Sequence, residues 1–303
     1  MRKFLVSDIH GDGNIYYSIM SYLDNISKNE NIELYINGDL FDRGIESAEI
    51  LLDIKKRIEE NKFRIVYLGG NHELLMYHTF LDRKNSIRKY CNSWYDNGGY
   101  ITDWGLEELL NYDRDKILEV VDFIANLNIY HQFDERIDDK NIVLVHASCP
   151  LEVKNVCDIS IKDNNDSVYS YVWTREHDPF IPFRGRIGND DYFTIVGHTP
   201  NHHLYGYEYH ENGNYFNIDG GCACYVSGLF HYDHVPLVEV MDGYLRILTF
   251  NHNNEIIYGN YFIHGKNISF SDKELSVERS YLNHHLKVRK LVLLEDGIVG
   301  YKD

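Results

Sequence analysis

The chain is poor in the residues that would mark several classes of protein. Its five cysteines are an odd number without paired C-x-x-C spacing, which argues against a disulfide framework and against a zinc ribbon. We therefore expect free thiols in a reducing compartment. The sequence has no run of about 20 apolar residues, and its first residues hold too short an apolar run for a signal peptide. These absences predict a cytoplasmic protein that does not enter a membrane.

Basic residues are also scarce relative to acidic ones. The 303 residues include 30 Lys and Arg against 47 Asp and Glu, which gives a formal net charge of -17. Nucleic-acid binding draws much of its affinity from Lys and Arg side chains that neutralise phosphates, so a long nucleic acid is not an expected partner. With 44% apolar residues and only five prolines, the chain can bury one large core and has no proline-rich linker.

Short apolar stretches alternate with stretches of helical periodicity. Strands are predicted at residues 4–6, 34–36 and 65–68, and helices at residues 14–26, 47–60, 74–81 and 116–127. This alternation predicts βαβ units and a largely parallel sheet, in which the loop after each strand lies at the carboxyl edge. Later strand-like stretches predict a second sheet, and they lie at residues 142–145, 193–196 and 215–218.

Five short polar blocks occur in a fixed order, and all but the fourth begin just after an apolar strand-like stretch. They are residues 8–10 (DIH), 38–44 (GDLFDRG), 70–73 (GNHE), 146–147 (HA) and 197–200 (GHTP). Side chains that follow parallel strands gather in one crevice at the carboxyl edge of the sheet. We therefore expect these blocks to form a single site, although each block alone would be weak evidence.

The residue types in these blocks are suited to metal binding. Carboxylate, amide and imidazole ligands together favour Mn²⁺, Fe or Zn²⁺ over Ca²⁺ or Mg²⁺. We predict two divalent ions, with Mn²⁺ as the first choice. The predicted ligands are Asp8 and His10 for one ion, Asn71, His146 and His198 for the other, and Asp39 as the bridge. A carboxylate can bridge two cations about 3.5–4 Å apart, and water bound between them loses a proton near neutral pH.

Taken together, the blocks resemble those of the phosphoprotein phosphatase family of calcineurin-like metallophosphoesterases, and particularly its bacteriophage lambda-type branch. Three further segments support the resemblance, at residues 94–99 (WYDNGG), 172–176 (VWTRE) and 218–222 (IDGGC). The resemblance covers about residues 3–228. It implies an α/β fold in which a two-sheet β-sandwich is flanked by helices, with the dimetal site at the carboxyl edge of the strands.

The resemblance also implies a role for individual residues. His72 would be the general acid that protonates the leaving oxygen, and Asp42 would orient it. Arg43 and Arg175 would bind the substrate phosphate together with Asn71. The chemistry of these residue types agrees, because a carboxylate partner keeps an imidazole oriented and protonated, and a planar guanidinium can bind two phosphate oxygens.

Three functions are compatible with these residues. The first is hydrolysis of phosphoserine and phosphothreonine in proteins, with phosphotyrosine and small phosphoesters as further substrates, by direct attack of a dimetal-bound hydroxide. The second is hydrolysis of dinucleoside polyphosphates such as diadenosine tetraphosphate. That branch typically has Asp at the end of the third block and lacks the second-block Asp, whereas this chain has Glu73 and Asp42. The third is a metal-binding scaffold without catalysis, which the complete set of predicted ligands disfavours.

Two parts of the chain are less clearly patterned. Residues 158–191 are rich in Asp and Asn without clear periodicity, and we expect a surface excursion there. Beyond a catalytic domain at residues 1–228, we predict a β-rich extension packed on that domain at residues 229–303. Its strand-like stretches lie at residues 237–240, 244–250 and 288–294. They could extend the second sheet, form a small appended unit or make a dimer contact, and the oligomeric state is not indicated.

Overall fold

The computed structural model describes ten stretches of the chain and contains two mixed β-sheets flanked by helices, which confirms the predicted fold class. The described residues are 1–85, 89–148, 159–163, 166–175, 191–201, 203–210, 215–228, 234–282, 290–293 and 299–302. Most of the predicted excursion at residues 158–191 therefore lies outside them.

The strands are β1 (Arg2–Val6), β2 (Ile32–Asn37), β3 (Arg64–Leu68), β4 (Tyr130–Ile137), β5 (Lys140–Val145), β6 (Tyr192–Val196), β7 (Glu208–His210), β8 (Tyr215–Asn217), β9 (Val235–Met241), β10 (Tyr244–Asn251), β11 (Glu255–Ile263), β12 (Lys266–Ser269), β13 (Lys290–Leu293) and β14 (Val299–Lys302). The α-helices are α1 (Gly13–Ile26), α2 (Ser47–Glu60), α3 (Asn71–Lys84), α4 (Lys89–Asp96), α5 (Gly99–Leu109), α6 (Arg114–Ala125), α7 (Asp166–Trp173), α8 (Cys222–Val226) and α9 (Asp272–Ser280).

The first sheet has the strand order β12-β11-β10-β9-β1-β2-β3. Strands β1, β2 and β3 are parallel, and helices α1 and α2 connect them as predicted. The boundaries of α2 agree with the prediction. Helix α6 begins at Arg114, two residues before the predicted start. The Asp113 carboxylate caps the helix there by accepting from the backbone N–H groups of Asp115 and Lys116. Helices α4 and α5 were not predicted.

The second sheet has the order β4-β5-β6-β8-β7. Its three central strands, β5, β6 and β8, are parallel to one another and correspond to the three predicted later strands. The outer strands β4 and β7 are antiparallel to their neighbours. The carboxyl ends of β5 and β6 therefore lie at the same edge, as the location of His146 and His198 requires.

The C-terminal strands belong to the first sheet. Strand β9 pairs with β1 in antiparallel register, with Lys3 opposite Val240, and β10, β11 and β12 continue outward from it. The suggestion that they extend the second sheet is therefore wrong. Of the predicted strand at 288–294, residues 290–293 are described and pair with β14 in a separate ladder. The domain boundary after residue 228 stays a prediction.

Alternating side chains of β1 enter two different cores. Leu5 packs between the sheets with Tyr35 of β2 and with Leu144 and Phe193 of the second sheet. Phe4 and Val6 belong to the other core, which contains the buried faces of helices α1 and α2. Because successive residues of a strand point to opposite faces, β1 is buried on both sides. The strand that leads into the first polar block is thereby fixed from two directions.

None of the helices in the described part of the chain has the length and apolarity needed to span a bilayer. Cys222 and Cys224, the two cysteines whose side chains are described, are free thiols.

We expect the C-terminal strands to contribute to global stability. Ile247 of β10 is fully buried in the core between the sheets, so Ile247→Ala should lower the free energy of unfolding by about 2–5 kcal/mol. Ile268 of β12 is 51% exposed, and Ile268→Ala should change the free energy of unfolding by no more than about 0.5 kcal/mol. Urea unfolding of both variants measures the difference, and equal effects would contradict a shared core.

Candidate active site

The five polar blocks converge where strands of the two sheets end. Asp8 and His10 follow β1, Asp39 follows β2, and His72 lies in the first turn of α3, which begins shortly after β3. His146 follows β5 and His198 follows β6, so the second sheet contributes its ligands from the same edge. Burial is nearly complete for the whole set, which comprises Asp8, His10, Asp39, Asn71, His72, His146 and His198.

Asp39 lies between two groups of ligand atoms. In the described residues, the side chains of His10, Asp39 and His72 form one group, and those of Asp39, His146 and His198 form the other. The two carboxylate oxygens of Asp39 face different groups: Oδ2 is 3.6 Å from His10 Nε2, and Oδ1 is 3.4 Å from His146 Nε2. This geometry favours the predicted bridging role of Asp39, which stays a prediction.

The side-chain oxygen of Asn71, Oδ1, lies close to one ring nitrogen of His146 and one of His198. His146 Nε2 lies 3.0 Å from it, while His146 Nδ1 donates to the backbone carbonyl of Asn37 at 2.7 Å. His198 Nδ1 lies 2.8 Å from it, while His198 Nε2 donates to the carbonyl of Trp173 at 3.2 Å. Because His146 Nδ1 and His198 Nε2 are donors, the other nitrogen of each neutral ring is an acceptor. Two acceptor nitrogens therefore lie next to Asn71 Oδ1, which is itself only an acceptor. A divalent cation satisfies this arrangement, and the outer carbonyls orient the rings as in known metal sites.

Asp8 links the two sheets at the site. Its Oδ1 is 3.9 Å from His10 Nε2, and its carboxylate accepts from the backbone N–H of His198 at 3.0 and 3.1 Å and from the Ser7 hydroxyl. His10 Nδ1 is buried and has no hydrogen-bond partner among the described residues. Asp8 is thus near the first group of atoms, and its role as a metal ligand beside His10 stays a prediction.

The buried carboxylates and imidazoles of the site shift one another's pKa values. Burial raises the pKa of Asp8 well above its usual range, and the nearby carboxylate of Asp219 raises it further. Burial likewise raises the pKa of Asp219 to about 6. Although burial opposes it, Asp39 and Asp8 raise the pKa of His146 to about 10. Burial lowers the pKa of His10 and of His198 well below the usual value, so both rings are neutral and have a lone pair available for a metal ion. Although burial opposes it, the imidazoles around Asp39 lower the pKa of its carboxyl group, so these residues together fit divalent metal ions.

The carboxylate of Asp42 fixes His72 and is itself fixed by two further donors. Its Nδ1 donates to Asp42 Oδ2 at 2.7 Å, and the same oxygen accepts from Trp94 Nε1 at 2.7 Å. The Thr102 hydroxyl donates to the other oxygen, and neither His72 nor Asp42 is exposed. The imidazole therefore has one fixed orientation, with Nε2 pointing into the site. Sequence reasoning missed Thr102, which lies on the unpredicted helix α5.

The two predicted phosphate-binding arginines line one cleft of about 760 Å³. The guanidinium of Arg43 lies 3.3 Å from His10 Nε2 and 3.2 Å from His72 Nε2. Arg175 follows α7, is exposed, and donates to the Thr199 hydroxyl at 3.4 Å. The structure thus brings both guanidinium groups to the cleft above the buried ligands.

The backbone of the site is conformationally unusual. Six predicted site residues that are not glycine have left-handed φ values, namely Asp8 (54°), His10 (50°), Asp39 (51°), Asp42 (73°), Arg43 (73°) and His198 (67°). Such values are uncommon outside glycine and cost about 1–3 kcal/mol each, so surrounding contacts must maintain them.

Glu73 supplies much of this support. Its Oε2 accepts from the backbone N–H groups of Asp39 at 3.0 Å and Gly70 at 2.7 Å. Its Oε1 accepts from the Tyr67 hydroxyl at 2.5 Å and the Leu40 N–H at 3.3 Å. From sequence, Glu73 could be interpreted equally as a residue that suits the helix dipole. Its place at the third helical position is the signal that indicates backbone capping.

A second support comes from the C-terminal strands. His252, in the turn between β10 and β11, lies with Nδ1 2.9 Å from Asp12 Oδ2. Asp12 caps helix α1 by accepting from Ile15 N–H at 3.1 Å, and its own N–H donates to Ile9 O, closing the turn that carries His10. The turn 251–254 therefore contacts the segment that presents a predicted ligand. No sequence motif indicated this contact.

Buried carboxylate, amide and imidazole groups that could hold metal ions lie beneath two arginines in an open cleft, which is the arrangement expected of a metal-dependent phosphoesterase. The profile of the family described as calcineurin-like phosphoesterase matches residues 1–231, and the chain belongs to this family. Members bind a dimetal site and act on phosphorylated substrates. The protein is accordingly a hydrolytic phosphoesterase.

Individual proteins also resemble this chain in sequence or in structure. The Shewanella-like protein phosphatase 1 of Plasmodium berghei (strain Anka) is 24% identical over 265 residues, which cover 73% of this chain and 67% of that protein. A serine/threonine phosphatase structure from Saccharomyces cerevisiae has a TM-score of 0.49 at 14% identity, covering 83% of this chain and 80% of its own. The structure of a putative diadenosine tetraphosphatase has a TM-score of 0.43 at 16% identity, and the match covers 89% of this chain and 92% of that protein's chain.

Replacement of Glu73 should loosen the loop that carries Asp39. We expect Glu73→Gln to lower the free energy of unfolding by about 1.5–3 kcal/mol, because an amide group would face at least one backbone donor. Tyr67→Phe removes a single donor and should cost less than about 1.5 kcal/mol. Urea unfolding and elemental analysis of bound Mn²⁺ test both variants. A Glu73→Gln protein with wild-type stability and metal content would contradict the supporting role.

Proposed function

We propose that this protein is a Mn²⁺-dependent phosphatase that removes phosphate from phosphoserine and phosphothreonine residues of proteins. The observation that carries the proposal is the buried His72–Asp42 pair, 2.7 Å apart, beside the guanidinium of Arg43. This pair supplies an oriented acid for an alkoxide leaving group, which phosphoserine and phosphothreonine both have. The similarity to a Shewanella-like protein phosphatase supports the same choice.

Each residue in the cleft has a distinct task under this proposal. Arg43 and Arg175 bind the phosphate oxygens and offset the charge that develops on them. Asp42 holds the His72 ring, and His72 transfers the proton from Nε2 to the leaving oxygen. Asp8, His10, Asp39, Asn71, His146 and His198 would hold two divalent ions, which, when bound, supply Lewis-acid charge and an activated water.

Mn²⁺ is inferred from the ligand chemistry. The ligand set mixes three imidazoles with carboxylates and an amide oxygen, which suits Mn²⁺, with Fe and Zn²⁺ as alternatives. The cytoplasmic location stays a prediction from the cysteine pattern.

Hydrolysis of dinucleoside polyphosphates is the alternative function. Among the described residues that line the cleft, the arginines are Arg43 and Arg175. Two guanidinium groups match the oxygens of a single phosphate group. The cleft therefore supports a phosphomonoester substrate.

A direct comparison of substrates tests the proposal. Metal-stripped protein resupplied with Mn²⁺ should release phosphate faster from phosphoserine and phosphothreonine peptides than it cleaves diadenosine tetraphosphate. A phosphotyrosine peptide in the same assay measures how broad the specificity is. Faster cleavage of the dinucleotide would overturn the proposal in favour of the alternative function.

The role of His72 is tested by the leaving group. His72→Asn should lower kcat about 10²–10⁴-fold on a phosphoserine peptide, whose alkoxide requires protonation. The loss should be much smaller on p-nitrophenyl phosphate, because its aryl oxygen leaves without an acid. Elemental analysis should find the wild-type content of Mn²⁺ in this variant. Equal losses on both substrates, with metal retained, would show that His72 is not the acid.

A further inference from the structure

Exposed apolar side chains form part of the rim of the catalytic cleft. Ile45 is 80% exposed, Tyr100 is 40% exposed and Trp104 is 58% exposed. Ile45 and Tyr100 line the cleft, and the ring of Trp104 lies against that of Tyr100 with centroids 5.4 Å apart. We refer to these three residues as the apolar shelf. Single exposed apolar residues are ordinary, but a group beside a catalytic cleft indicates a contact surface.

The shelf lies close to the phosphate-binding position. The N–H of Arg43 donates to the carbonyl of Gly98 at 3.4 Å. Gly98 has a φ of 92°, and a Cβ there would be only 2.8 Å from Arg43 Cγ, so the two loops are in direct contact. Ile45 and Tyr100 each lie two residues beyond this contact, which is at most about 7 Å of extended chain.

The shelf is also held on a rigid support. A Cβ on Gly105 would lie 2.6 Å from the Ala48 side chain, so helix α5 packs directly on α2. On the buried side of α5, the Thr102 hydroxyl donates to Asp42, and Asp103 pairs with Arg83 at 3.0 Å. The exposed rings on the same helix are therefore preordered, which reduces the entropy lost when a ligand binds to them.

We propose that the apolar shelf binds an apolar side chain close in sequence to the phosphorylated residue of a protein substrate. This inference rests on the proposed function. A phosphate bound at Arg43 fixes the neighbouring residues of a phosphoprotein within a few ångströms of the shelf, so one of their side chains can cover it. Exposed Tyr and Trp side chains are typical anchors of such contacts.

A nucleotide base is the competing occupant, because bases stack on aromatic rings. The shape of the shelf favours the polypeptide. Ile45 is the most exposed member of the shelf and offers an aliphatic surface, which packs against apolar side chains.

Two matched phosphopeptides test the inference with the full-length protein and Mn²⁺. Both carry a central phosphothreonine, and they differ only in having leucine or serine at the two positions on each side. The wild-type protein should favour the leucine peptide about tenfold in kcat/KM, as expected for one apolar side chain in a partly open site. Trp104→Ser and Ile45→Ser should each move that ratio towards one. Within each variant the ratio cancels any general loss of activity.

A matched control lies on helix α6. Leu118 is 43% exposed and does not line the cleft, so Leu118→Ser should leave the ratio at its wild-type value. If the wild-type protein hydrolyses both peptides equally well, the shelf has no role although the proposed function stands. If it hydrolyses p-nitrophenyl phosphate but neither peptide, the proposed function itself fails. Cleavage of diadenosine tetraphosphate that is weakened by Trp104→Ser would identify a base-stacking surface and overturn the inference.

Discussion

The carboxylates of Asp8, Asp39 and Asp219 are almost completely buried and close enough to influence one another's ionisation. Burial of like charges costs free energy, which hydrogen-bond donors, cations or protons near the carboxylates offset. Imidazoles face Asp39 from two sides, and backbone N–H groups face Asp8. The folded state of this metal-dependent hydrolase must therefore offset the cost of the buried carboxylates before any substrate binds.

The same residues concentrate backbone strain. Asp8, Asp39 and His198 have left-handed conformations at the ends of three different strands, which turn their side chains inward over the sheet edge. Glu73 maintains one of these turns with a single carboxylate that accepts from backbone N–H groups on two loops. These unfavourable torsions lower the stability of the fold, and the contacts around them hold the site in one arrangement before anything binds to it.

Sequence reasoning predicted the strands that end in polar blocks because apolar runs and their polar ends are local signals. It could also predict that Asp8 and Asp39 meet, since the parallel strands β1 and β2 deliver their ends to one edge. It could not predict that β9 pairs with β1, because sheet order between distant strands depends on packing of the whole core. The contacts of Thr102 and His252 were missed for the same reason: each depends on three-dimensional proximity without a motif.

The position of β1 has a consequence for biosynthesis. One neighbour, β2, emerges from the ribosome soon after it, whereas the other neighbour pairs Lys3 with Val240, more than 200 residues later. At about 5–20 residues per second, one edge of this buried strand waits roughly 10–50 s for its partner. An unpaired, apolar strand edge is a template for association with other chains. Until β9 has been synthesised, this edge of β1 can therefore pair with a strand of another chain.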